Sequence, residues 1–238
     1  GVALAAAKCN AEAEIFMPTD APQTKVDATR GYGASVRLVG HDFQETMMHA
    51  KQAAEDSTAE FVHAFDDAAI IAGQGTLGIE MYHDLPHADT VVVPIGGGGL
   101  IGGISTAIKH LSPETRVIGV QADGAETVIK SLEKDHPVTL NRVDTIADGI
   151  ATGGISEQTL SLIQENVDEV ITVSDTEIAQ AILLLIERAK QVVEGAGAAS
   201  VAALLSDQTD VSGETVMPLL CGGNLDMTRL REILDHAL

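Results

Sequence analysis

The chain has 238 residues, 45% of them hydrophobic, and its 14 Lys and Arg against 35 Asp and Glu give a formal net charge of −21 at pH 7. The apolar fraction excludes a disordered chain, and the length suits one large domain or two small ones. The charge argues against nucleic-acid binding, and no apolar run reaches the ~18 residues of a membrane-spanning helix.

The first predicted element is a helix at residues 1–8 (GVALAAAK), which are good helix formers. The chain starts with Gly1 rather than Met, and no capping Ser, Thr, Asp or Asn precedes the apolar residues. We therefore expect the sequence to begin part-way through a helix and to be a piece of a longer protein.

Short apolar runs then alternate with segments of helical periodicity. The predicted strands are residues 14–17, 35–39, 60–63, 90–95, 116–121, 169–173 and 215–220. The predicted helices are residues 21–31, 43–56, 67–84, 100–110, 126–134, 156–166, 175–193, 197–206 and 226–238, with Asp67 and Asp175 as N-caps. Strands such as 90–95 (TVVVPI) are apolar on both faces, which is typical of a parallel sheet covered by helices on both sides. The pattern predicts an α/β fold with open, mostly parallel sheets.

Three glycine clusters interrupt this pattern. The first, at residues 73–78 (GQGTLG), matches the dinucleotide-binding consensus by letter but lies within a predicted helix. Small residues that permit close helix packing are the better interpretation, because the consensus needs a strand before it and a helix after it.

The second cluster has that context, since a predicted buried strand runs into Gly96, Gly97, Gly98 and Gly99 and then into a helix. Four consecutive glycines are costly in conformational entropy, and a tight turn needs only one or two. The N-terminus of a helix offers free N–H donors and a partial positive charge. Residues 96–99, hereafter the glycine loop, are therefore predicted to bind a phosphate group.

The identity of the phosphate compound stays open at this level. Gly97, Gly99 and Gly102 also fit the dinucleotide fingerprint, and Asp123 lies near the distance expected for a ribose-binding carboxylate. A nicotinamide-dependent dehydrogenase is thus an alternative, although the fingerprint normally opens its fold rather than following several α/β units. An acidic binding module is a further alternative, but it does not explain four glycines in a row.

The third cluster, residues 221–224 (CGGN), places Cys221 after a predicted strand. A thiol at this position faces the edge where open α/β sheets bind ligands, although a buried Cys is often only a small apolar residue. The two cysteines, Cys9 and Cys221, are too few for a disulfide framework, which favours a cytoplasmic location.

The chain contains five motifs in a fixed order: residues 71–76 (IAGQGT), 94–100 (PIGGGGL), 146–149 (IADG), 193–198 (VEGAGA) and 221–226 (CGGNLD). This is the order found in threonine dehydratases (threonine ammonia-lyases). The chain resembles this family, which uses pyridoxal phosphate and has the two-domain fold type II of tryptophan synthase β, over essentially its whole length; serine racemase is a close relative. The resemblance implies that residues 1–65 are the remnant of a small domain and that residues 66–238 form most of the large, cofactor-binding domain.

The same resemblance implies a set of cofactor-binding residues. The glycine loop and Leu100 would hold the cofactor phosphate, Phe65 would lie beside the pyridoxal ring, and Cys221 would contact the pyridine nitrogen. Gly149 would present backbone to the cofactor, and Glu194 would lie near the ring on its far side.

The sequence also departs from the family pattern. The lysine that forms the Schiff base, and the loop that grips the substrate carboxylate, are expected upstream of Gly1, so no catalytic residue is assigned. Gln121 and Thr127 stand where the family's metal site has acidic side chains, and no metal is expected there. His83 and His87 are separated by the helix breaker Pro86, which disfavours a metal site at that point also.

The resemblance implies deamination of L-threonine, and of L-serine, to 2-oxobutanoate or pyruvate and ammonia, as in isoleucine biosynthesis. A serine racemase-like activity is the alternative within the same fold. The expected partner is a small amino-acid substrate, and the expected assembly is a homo-oligomer, dimeric or tetrameric. The acidity has two interpretations: a soluble surface, or adaptation to a high-salt cytoplasm in which carboxylates are screened.

Overall fold

The computed structural model describes residues 1–206 and 208–237, and the chain divides into two compact units, Gly1–Val62 and His63–Leu238. In the first unit, a helix separates two strands that pair in parallel, with Glu14 opposite Ser35 and Met17 opposite Leu38. Its elements are α1 (Val2–Cys9), β1 (Glu14–Met17), α2 (Gln23–Gly31), β2 (Ser35–Leu38) and α3 (Phe43–Glu55).

The second unit is built on a parallel sheet, for which the described residues give the order β5-β4-β3-β6. Its strands are β3 (Thr90–Pro94), β4 (Arg116–Ala122), β5 (Glu169–Val173) and β6 (Val216–Pro218). Its helices are α4 (Ala68–Asp84), α5 (Gly99–Leu111), α6 (Thr127–Lys134), α7 (Glu157–Asn166), α8 (Asp175–Leu184), α9 (Gly195–Leu205) and α10 (Met227–Ala237). Short 3-10 turns at Asp123–Ala125 and Asp148–Ile150 and a π-helical turn at Leu185–Ala189 complete it.

The sheet is buried on both faces, as its apolar strands predict. Alternate residues of β3 belong to two different cores: Val92 packs with the buried side of α8 and α9, whereas Val91 and Val93 pack with that of α5. All five residues of β3 are buried. Because helices cover both faces, ligands reach this sheet only at the ends of its strands.

The predicted elements are confirmed with shifts of one or two residues, apart from three differences. Residues 60–63 are not a strand, and α8 ends at Leu184 in a π-helical turn rather than continuing to Val193. Ser174, not Asp175, is the N-cap of α8, and it forms a capping box with Glu177. Leu238, in the last predicted helix, lies outside the described residues.

The first glycine cluster lies inside α4 and brings that helix close to α5. A Cβ atom placed on Gly78 would lie 2.9 Å from the carbonyl oxygen of Ile104, and one on Gly75 would lie 3.2 Å from that of Gly103. These glycines allow the two backbones to touch, which confirms the packing interpretation over the dinucleotide one. Within the described residues, no helix combines the length and apolarity needed to cross a membrane.

This helix contact yields a matched pair of substitutions. Gly103→Ala would push a methyl group against the Ile71 carbonyl and to 2.6 Å from Gly75 N, so we expect it to lower the free energy of unfolding by about 2 kcal/mol or more. Gly73 lies in α4 with nothing within 4 Å of its Cβ position, so Gly73→Ala should raise that free energy by about 0.5–1 kcal/mol. Urea unfolding of both variants checks the opposite signs, and a stable Gly103→Ala variant would contradict the close contact.

Candidate functional site

The glycine loop lies at the carboxyl end of β3, between the ends of β4 and β6. Ile95 donates its N–H to the Val120 carbonyl at 2.7 Å, and Leu219 donates to that of Val92 at 2.9 Å. Because these three parallel strands end at one edge of the sheet, the segment that follows β6 lies beside the glycine loop.

The loop contains consecutive backbone N–H donors at the N-terminus of α5. In the part of the chain that the structure describes, the N–H groups of Gly97, Gly98, Gly99 and Leu100 have no protein acceptor, and no side chain caps the helix. Gly98 has φ +89°, which is favourable only for glycine. This arrangement suits an anion, because converging N–H groups and the helix dipole attract negative charge.

The loop is also packed too closely for side chains. A Cβ atom on Gly97 would overlap ring carbons of Phe65, and one on Gly99 would lie 2.6 Å from the Phe65 carbonyl oxygen. On the opposite wall, a Cβ atom on Gly98 would lie 2.8 Å from Cβ of Thr159. The glycines are thus required by their surroundings as well as by their conformation.

The remaining candidate residues form a second group at the same edge. The N–H of Glu194 donates to the Gly222 carbonyl at 3.1 Å, and its carboxylate lies where a Cβ atom of Gly222 would be. The Cβ position of Gly149 lies 3.3 Å from Oε1 of Glu194. The Cys221 carbonyl packs against Gly197 in the first turn of α9.

The two groups meet at Gly96, whose Cβ position lies 3.5 Å from the Gly149 carbonyl and 3.0 Å from Oγ1 of Thr152. The structure therefore brings together the nine residues that the sequence analysis selected for cofactor binding. It adds Gly222, which lies in the third glycine cluster, and Thr159, which belongs to the capping box of α7. It also adds Thr152, which carries no distinctive sequence signal.

The Cys221 thiol is neutral in this setting. Burial, and secondarily the nearby Glu194 carboxylate, raise the pKa of Cys221 to about 11. At neutral pH the thiol offers a weak hydrogen bond and no charge.

Gln121, at the position where the family's metal site has an acidic side chain, occupies a closed hydrogen-bond network. Its buried amide donates to the Ala125 carbonyl at 3.0 Å and to the Thr127 hydroxyl at 3.3 Å, and accepts from the N–H groups of Val128 and Ile129. All four of its hydrogen-bonding positions are filled. Among the described residues, no three His, Cys, Asp or Glu side chains are grouped as a metal site.

Asp123, the carboxylate of the dinucleotide alternative, lies directly after β4. Burial raises its pKa, and so do the carboxylates of Asp175, Glu126 and Glu177, whereas a hydrogen bond from Gly124 opposes them. The geometry of this edge alone does not distinguish a dinucleotide from another phosphate compound.

Comparison with known proteins makes that distinction. Residues 1–222 match the family model described as pyridoxal-phosphate dependent enzyme. The chain is 45% identical, over all of its 238 residues, to an L-threonine ammonia-lyase of Thermotoga maritima, and it spans 59% of that protein's length.

Two solved structures confirm the fold. The processed form of threonine deaminase isoform 2 from Solanum lycopersicum superimposes with a TM-score of 0.92 and 36% identity, covering 99% of this chain and 66% of that one. Maize serine racemase gives a TM-score of 0.90 and 32% identity, covering 99% and 73%. The predicted fold type II is therefore correct, and the chain belongs to the family of pyridoxal-phosphate dependent enzymes, in which it resembles the threonine ammonia-lyases.

Proposed function

We propose that the protein deaminates L-threonine, and also L-serine, to the corresponding 2-oxo acid and ammonia with pyridoxal phosphate as cofactor. The observation that carries this proposal is the meeting of the glycine loop with Gly149, Glu194 and Cys221 at one sheet edge. The 45% identity to an L-threonine ammonia-lyase supports the choice of substrate.

The glycine loop and Leu100 are assigned to the cofactor phosphate. Their unpaired N–H groups supply several donors to one anion, and charge-assisted hydrogen bonds of this kind contribute about 1.5–3 kcal/mol each. Residues 90–113 contain no Asp or Glu, although the chain has 35 of them. Neither the glycine loop nor α5 after it therefore contributes a carboxylate that would repel the phosphate.

Phe65, Gly149, Glu194 and Cys221 are assigned to the surroundings of the pyridoxal ring. When bound, pyridoxal phosphate supplies the electron sink for breaking the Cα–H bond of an amino acid. A neutral Cys221 beside the pyridine nitrogen does not stabilise a protonated ring. This moderates the electron sink and favours loss of the β-hydroxyl over return of a proton to Cα.

The lysines of the second unit do not take part in this site. Lys109 pairs with Asp168 at 2.7 Å, Lys130 pairs with Glu126 at 3.1 Å, and Lys190 donates to the Glu187 carbonyl at 2.5 Å. Lys134, in the last turn of α6, is exposed. The second unit is therefore assigned the phosphate and ring contacts without a lysine for a covalent bond to the cofactor.

Two alternatives are less well supported. Serine racemization is the alternative within the same fold, which maize serine racemase shares. The closed network of Gln121 and Thr127 differs from the acidic metal site expected of that enzyme. The family match removes the basis for a nicotinamide-dependent dehydrogenase.

We also assign the first unit to the small domain and the second to the large domain. The family resemblance implies a boundary after residue 65, whereas the compact units divide after Val62. Cytoplasmic location, a homo-oligomeric assembly and a part in isoleucine biosynthesis complete the proposal.

The chain should bind pyridoxal phosphate non-covalently through the glycine loop. Gly98→Ala should weaken that binding at least about tenfold, because a side chain at φ +89° both strains the loop and meets Thr159. Gly213, which also has positive φ but has open space around it, provides the control substitution Gly213→Ala. Titration by absorbance measures both affinities.

Borohydride treatment of the loaded chain should leave no pyridoxyl-lysine detectable by mass spectrometry. A stoichiometric adduct at one lysine would show that the chain itself contains the covalent attachment site.

Cys221 variants test the assignment to the pyridine nitrogen. In the full-length protein, Cys221→Ser keeps a neutral donor and should retain turnover within about threefold, whereas Cys221→Asp should lower it about tenfold or more and shift the cofactor absorption. Phosphate binding at the glycine loop should be unchanged in both. Equal turnover of the Asp and Ser variants would show that Cys221 does not contact the pyridine nitrogen.

The salt adaptation predicts that molar KCl raises the melting temperature. The 35 acidic residues exceed the 14 basic ones by 21, so at least 21 carboxylates have no basic side chain of their own. Screening this repulsion should raise the melting temperature by about 5 °C or more between 0.05 M and 2 M KCl. A melting temperature that stays constant or falls with added KCl would indicate that the acidic residues serve solubility alone.

A further inference from the structure

The glycine loop has no side chains with which to hold its own shape. Phe65 covers Gly97 and Gly99 on one wall, and Thr159 and Ile163 of α7 cover Gly98 on the other. The directions of the loop N–H groups therefore depend on how these two walls are held apart.

A hydrogen bond between side chains joins the two walls. Ser156 Oγ donates to Oδ1 of Asp66 at 2.5 Å, across 90 residues of sequence. Asp66 follows Phe65 directly, and Ser156 is the N-cap of α7, whose capping box contains Thr159. The connection from Phe65 through Asp66 and Ser156 to Thr159 thus closes around the glycine loop.

His63 fixes the first wall. Its Nδ1 accepts the N–H of Phe65 at 3.2 Å and that of Asp66 at 2.8 Å. Its ring meets the Phe65 ring edge to face, with centroids 4.7 Å apart and an interplanar angle of 87°. Both the aromatic ring and the carboxylate are therefore oriented by one imidazole.

We propose that His63, Asp66 and Ser156 form a clasp that sets the geometry of the glycine loop, and that they are positioning residues for phosphate binding. This inference rests on the proposed function for the identity of the anion. The effect of the clasp on the shape of the glycine loop is independent of the proposed function, because it requires no bound ligand.

The chain offers a matched control for the clasp. Asp66 binds Ser156, whereas its neighbour Asp67 caps α4 by accepting from the N–H groups of Ala69 and Ile70. Asp66→Ala opens the clasp and keeps both helix caps. Asp67→Ala removes a cap and keeps the clasp.

The first measurement is amide hydrogen exchange of the ligand-free chain at Gly102, whose N–H donates to the Gly98 carbonyl of the glycine loop at 2.8 Å. We expect Asp66→Ala to speed exchange there at least about tenfold relative to Asp67→Ala, because loss of the clasp opens the loop locally. Asp66→Asn retains an acceptor for the Ser156 hydroxyl and should exchange like the native chain. Equal exchange in the Asp66→Ala and Asp67→Ala variants would overturn the inference.

The second measurement is titration with inorganic phosphate and with pyridoxal phosphate. Asp66→Ala should weaken binding of both about tenfold, while Asp67→Ala should lower the melting temperature and leave both affinities within about twofold. If the native chain binds neither compound, the proposed function fails, and hydrogen exchange still decides the clasp.

A variant on the other wall guards against misfolding of Asp66→Ala. Ser156→Asp keeps a good N-cap for α7 but offers no donor to Asp66 and places a second carboxylate beside it. It should reproduce the faster exchange at Gly102. Native exchange in Ser156→Asp would contradict the clasp.

Discussion

The parallel pairing of β3 with β4 and β6 is the constraint on which the rest of the second unit depends. Parallel strands place all their carboxyl ends at one edge, and burial of both faces leaves the sheet accessible at the ends of its strands. Gly96 and Cys221 are 125 residues apart in sequence. The glycine loop and the segment containing Cys221 nevertheless follow neighbouring strands. The site is a consequence of strand order.

The sequence predicts the strand and the glycine loop at this edge, because the signals for both lie in one short segment. Residues 90–99 combine an apolar strand with glycines that only a special backbone requires, and the phosphate-binding interpretation follows from those two facts. Strand order, by contrast, is not written in any one segment. Only the family resemblance implies that Gly96 and Gly149 lie at one site, and the contact of Glu194 with Gly222 comes from the structure alone.

The failures have a physical cause in competing local hydrogen bonds. Residues 60–63 suggest a strand by composition, yet the following N–H groups of Phe65 and Asp66 bond to the His63 side chain instead of a neighbouring strand. The apolar pattern after Leu184 suggests a continuing helix, but the N–H of Gln191 bonds to the Leu185 carbonyl and Lys190 takes φ 58°. Side-chain acceptors and single left-handed residues redirect the backbone without changing hydropathy.

The raised pKa of Cys221 has a consequence for redox chemistry. Thiolates, not thiols, react with peroxides and disulfides, and a pKa of about 11 leaves roughly one Cys221 in ten thousand ionised at pH 7. Cys9 is exposed, whereas Cys221 is half-buried beside a carboxylate that repels anionic oxidants. The environment that keeps Cys221 uncharged therefore also protects it from oxidation, so a sulfur atom can persist at this position in a cell that meets oxidative stress.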